Sequence, residues 1–101
     1  MTLRGLSGHA AYPQRAKDSL VAAAAFIMQV QTIVSRNVDP LRGGVVTIGS
    51  LHAGTVPNII PGEAKLSGTI RAFRQADIEM MQQRVRDIAN GVAATYGVEA
   101  D

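Results

Sequence analysis

The chain has 101 residues, 47% of them hydrophobic, ten basic against eight acidic side chains, and no cysteine. That length suits one domain with a single modest core, burying only roughly 60–65% of the unfolded surface, so a partner interface would add stability. Missing cysteine excludes disulfides and thiolate chemistry and fits a reducing, cytoplasmic compartment. No lysine/arginine run exceeds two, which leaves no electrostatic footprint for nucleic acid. No signal peptide and no apolar run near about 18 residues is found, so no membrane contact is expected. Aromatic residues are only 4% of the chain, so the core must be aliphatic.

In chain order, Met1–Arg4 reads as a short strand with Leu3 inward. Gly5, Ser7 and Gly8 break it and deliver His9 on a Gly-rich turn whose backbone can approach another molecule closely. Asp18 or Ser19 is a candidate N-cap for a helix over 18–36, with apolar residues at 20, 23, 24, 27, 30 and 34. Asn37 and Pro40 end it. A second, β-branched strand spans Val45–Leu51.

The loop that follows contains Thr55, Pro57, Asn58, the apolar pair Ile59–Ile60 and Pro61. Two prolines four apart stiffen such a loop and can hold the Asn58 amide in one place. From Glu63 to Phe73 the pattern alternates strictly, a half-buried strand with Lys65, Ser67, Thr69 and Arg71 on its polar face. A last helix begins near Asp77, with an apolar stripe at Ile78, Met81, Val85, Ile88, Val92 and Tyr96 and Gly97 as its C-cap. Val98–Asp101 turns extended and stops.

The order β-α-β-β-α, with the start of a last β, predicts an α+β fold of the ferredoxin-like, split β-α-β type. Two helices would cover one face of an antiparallel sheet ordered fourth, first, third, second. The second strand would then lie at an edge. The fourth is cut short, which suggests a piece of a larger protein and an unpaired edge on the first strand.

Independent metal chemistry has little support. His9 and His52 are the only histidines, and a catalytic zinc site normally takes three protein ligands. Ser7 lacks the strand-to-helix elbow of a nucleophile. His9 can be a turn histidine bonded to local backbone, or a donor to a substrate oxygen. Asn58 can brace its own loop or bind substrate. Arg71 can be a solvated strand residue or a bidentate carboxylate receptor. His52 suits a surface or loop position, and Met28, Met80 and Met81 suit packing.

Taken jointly, G-L-S-G-H-A-A-Y-P, N-V-D-P, V-V-T-I-G, H-A-G-T-V-P-N-I-I-P and L-S-G-T-I-R resemble the dimerisation (lid) domain of the dinuclear-metal aminoacylases, N-acyl-amino-acid amidohydrolases and carboxypeptidase G-type peptidases. The resemblance covers essentially the whole chain. It implies a lid inserted into a larger catalytic domain that carries two divalent ions (zinc, manganese or cobalt), with none held by this segment. It implies a homodimer formed through the edge strand and first helix. His9 would stabilise the oxyanion in the partner subunit, while Asn58 and Arg71 would bind the N-acyl amino acid or small peptide substrate. The segment alone would be inactive. Ser7 stands where the family turn often has glycine, Gln14 where a second histidine is common, and Gly62 where an acidic residue is common.

Two other readings share the topology. A ferredoxin-like regulatory module binding small molecules would account for Arg71 but not for the turn carrying His9. An RNA-recognition module needs aromatic side chains across its sheet, and the third strand offers only Phe73.

Overall fold

The computed structural model describes residues 1–101. Its strands are β1 (Thr2–Arg4), β2 (Gly8–His9), β3 (Val45–Ala53), β4 (Ile59–Ile60), β5 (Glu63–Arg71) and β6 (Glu99–Ala100). Its helices are α1 (Ser19–Thr32), continued by a π turn at Ile33–Asn37, and α2 (Gln75–Tyr96). The main sheet has the order β3-β5-β1-β6 with every neighbouring pair antiparallel, the order that the sequence pattern predicts. β2 and β4 form a separate two-stranded ladder.

Alternation sets which side of each strand is covered. Leu3, Ala64 and Leu66 are buried under the helices, while Arg4, Glu63, Lys65, Ser67 and Thr69 face outward. β3 needs one irregularity to keep the same logic. Its register against β5 shifts between Ile48 and Ser50, so Gly49 is an extra residue. This bulge returns Leu51 and Ala53 to the covered side, and the strand continues two residues beyond the predicted Leu51. Opposite it, Gly68 has no room for a side chain: an added Cβ would sit 2.1 Å from the Thr47 carbonyl oxygen.

The α1 N-cap is Asp18, whose Oδ1 accepts hydrogen bonds from Leu20 N (2.9 Å) and Val21 N (3.0 Å). Ala22, Ala23, Phe26, Val30 and Ile33 enter the core. With the π turn, Ser19–Asn37 is one helical run long and apolar enough, by length and composition, to cross a membrane. This corrects the expectation that no such run exists: Gln29, Gln31 and Thr32 interrupt the apolar stretch without adding charge. In the fold, one face of that run closes the core. The other is open, and Met28, expected to pack, is 71% exposed there.

α2 starts at Gln75, ahead of the predicted Asp77, and its N-cap Arg74 makes no side-chain cap. Asp77 is instead buried against Arg42, accepting from Nε at 3.0 Å and Nη2 at 3.1 Å. Those hydrogen bonds, and then the Asp77 charge, hold the Arg42 pKa above its ordinary value. Gly97 ends the helix in the left-handed region at φ 69°. β6 then pairs with Leu3 and Arg4, so the first strand is not left with the open edge expected there. The two edges of the sheet are therefore the nine-residue β3 and the two-residue β6.

Candidate functional site

The segment carrying His9 is a closed excursion between β1 and α1. Leu6 and Lys17 exchange backbone hydrogen bonds of 3.0 and 2.9 Å at its neck. Gly5 permits this approach, since an added Cβ would lie 2.0 Å from the Lys17 carbonyl oxygen. Within the excursion, β2 pairs with β4 so that His9 faces Ile59. A turn follows in which Tyr12 N donates to His9 O at 2.9 Å, and then a 3-10 turn at Pro13–Arg15.

The imidazole is oriented by its own backbone. Ala11 N donates to His9 Nδ1 at 2.9 Å, so Nδ1 is the acceptor and the neutral ring carries its proton on Nε2. The ring is exposed, and its Nε2–H is therefore available as a donor. Tyr12 stands beside it at 5.7 Å between centroids, with the Arg15 Cζ 4.9 Å from the Tyr12 ring centre.

Asn58 is drawn to the same place. Its carbonyl oxygen accepts from Ala10 N at 2.9 Å, one residue beyond the paired His9 and Ile59. Its side-chain amide makes no hydrogen bond within the chain and is exposed. The loop around it is pinned from two sides: Ser19 Oγ donates to Pro61 O at 2.7 Å, and Gly5 N donates to Gly62 O at 2.8 Å. Ile59 is half exposed, and Ile59–Ile60 forms a short strand.

Arg71 lies elsewhere. It ends β5 opposite Val45, about 26 Å of extended strand from Glu63, where the β2–β4 end of the molecule begins. It is exposed and has no ion-pair partner. His9 and Asn58 are thus neighbours, and Arg71 does not join them within one chain. His52 stands on β3, exposed and opposite Lys65. No group of three or more His, Cys, Asp or Glu side chains could hold a metal ion, so these residues do not fit one.

Residues 1–97 match the peptidase dimerisation domain. The chain belongs to that family. An N-acetyldiaminopimelate deacetylase of Streptococcus thermophilus is 58% identical over 101 residues, all of this chain and 27% of that protein. One from Oenococcus oeni is 60% identical over 95 residues, 94% of this chain and 25% of its own length. A crystal structure from methicillin-resistant Staphylococcus aureus, described as that of an aminohydrolase, superposes with a TM-score of 0.93 at 32% identity over 97% of this chain and 26% of that one. The peptidase dimerisation domain therefore spans about a quarter of the length of the relatives it matches.

Exposed apolar side chains recur along one side of this dimerisation domain. Val21 (48% exposed), Ala24 and Met28 line the open face of α1, which carries no charged residue. Val34 and Val45 extend it toward one end of β3, and Leu20, Val56 and Ile59 toward the other. The sequence pattern missed the Tyr12–Arg15 cation–π contact and the Arg42–Asp77 pair, because neither aromatic–cation contacts nor long-range ion pairs leave a periodic signal.

Proposed function

We propose that this domain dimerises and clamps substrate for a metal-dependent amide-bond hydrolase acting on N-acylated amino acids, with an N-acetylated diamino dicarboxylic acid as the favoured substrate. The observation that carries it is the fixed His9 tautomer, a preorganised N–H donor on a braced, exposed turn. Such a donor stabilises negative charge as it develops on a carbonyl oxygen. The two divalent ions implied by the family resemblance would belong to a catalytic domain outside this chain, and they would polarise the amide and supply activated water. Alone, the domain offers a donor and a clamp, and is inactive.

The dimer reading explains why Arg71 is remote. β3 is a nine-residue edge with no proline, lysine or glutamate to discourage pairing, beside an uncharged apolar helix face. Two copies paired antiparallel through β3 set the Val45 end of one beside the Ala53 end of the other. The partner's Arg71 is then carried toward His9 and Asn58. The substrate carboxylate would meet a guanidinium from one subunit, and its amide an imidazole from the other.

The experiment is His9→Ala in the full-length hydrolase. Loss of the donor should lower kcat by roughly 10²–10³-fold with a small change in KM and an unchanged dimer. An unaltered kcat would overturn the assignment. A regulatory amino-acid-binding module has no use for the fixed tautomer, and tight binding of free amino acids to this domain would favour that reading instead.

A further inference from the structure

We propose that Arg15 determines specificity by binding the substrate's second carboxylate, so that the site beside His9 selects N-acyl amino acids with a distal acid group. The inference rests on the reading of His9 as the donor at the scissile amide. The His9, Tyr12 and Arg15 side chains form a row: the two rings lie 5.7 Å apart between centroids, tilted by 60°, and Arg15 Cζ stands 4.9 Å from the Tyr12 centroid. All three sit on the excursion whose neck is closed by Leu6 and Lys17.

Arg15 has no carboxylate partner in the chain, whereas Arg4, Arg42 and Arg84 are paired with Asp101, Asp77 and Asp87. A guanidinium held against an aromatic ring by cation–π attraction still has N–H donors to offer a carboxylate. Holding the side chain beforehand also reduces the ordering cost of binding. Diaminopimelate carries a carboxylate at each end of its chain. After one end is engaged at the cut by the partner's Arg71, the other carboxylate needs a cation on the His9 side, and Arg15, held against Tyr12, is placed to supply it.

The test uses the full-length hydrolase with two substrates, N-acetyldiaminopimelate and Nα-acetyl-lysine, which differ by the distal carboxylate. The ratio of their kcat/KM values is the readout. Arg15→Ala should lower the diacid preference by about 10- to 100-fold, mainly through KM, as expected for a charge-assisted hydrogen bond. Arg15→Lys should retain part of the preference, and Tyr12→Leu should lose several-fold of it by releasing the guanidinium. An unchanged ratio in Arg15→Ala, or a wild type without diacid preference, overturns the inference while leaving the role of His9 standing. A wild type that hydrolyses neither substrate defeats the proposed function as well.

Discussion

Asp18 and Ser19 are adjacent and have unlike tasks. Asp18 takes two orphan backbone donors at the start of α1, so Asp18→Ala should lower stability by about 1 kcal/mol, read as a smaller urea midpoint at constant slope. Ser19 is wholly buried and ties the helix to the Pro61 carbonyl beside the site. Asn58 belongs to neither class. Its amide makes no bond that stabilises the chain, so Asn58→Ala should leave the thermal midpoint unchanged. In the full-length hydrolase, the same substitution should raise KM by about tenfold if the amide contributes one good hydrogen bond to substrate. A fall in midpoint with normal KM would make Asn58 a loop brace. That choice was open in the sequence, because an asparagine between two prolines serves either purpose.

At the level of the elements, β5 was legible because its alternation is unbroken from Glu63 to Arg71, and Leu66 is buried where the period places it. β3 was legible as far as Leu51, but its bulge was not. Gly49 breaks the period of two, and a strict alternation would have turned Leu51 and Ala53 outward. The two glycines near this bulge should respond differently. Gly68→Ala forces a Cβ against the Thr47 backbone and should cost about 3 kcal/mol, whereas Gly49→Ala meets nothing within 4 Å and should be nearly silent. Equal effects in denaturant unfolding would contradict the register. α2 starts two residues ahead of the predicted Asp77, whose carboxylate is taken by Arg42 from a distant loop. β2 and β4, two residues each, are too short for any period, so the closeness of His9 and Asn58 could be read only from the coordinates.

The whole molecule is elongated, 48 × 22 × 19 Å, with His9 and Asn58 at one end of the sheet and Arg71 at the other. Under the proposed function, a second copy brings both ends to one substrate. A charge on the open face of α1 should oppose that assembly: Met28→Glu is predicted to shift the full-length hydrolase toward monomer in sedimentation and to reduce activity with it. The most direct measurement mixes two inactive variants of the full-length hydrolase, His9→Ala and Arg71→Ala, and follows activity as subunits exchange. If each site takes His9 from one subunit and Arg71 from the other, the mixed dimer contains one site with both residues intact, and activity returns. If activity stays absent although mixed dimers form, the two residues serve the same subunit's site or none, and the shared-site account is wrong.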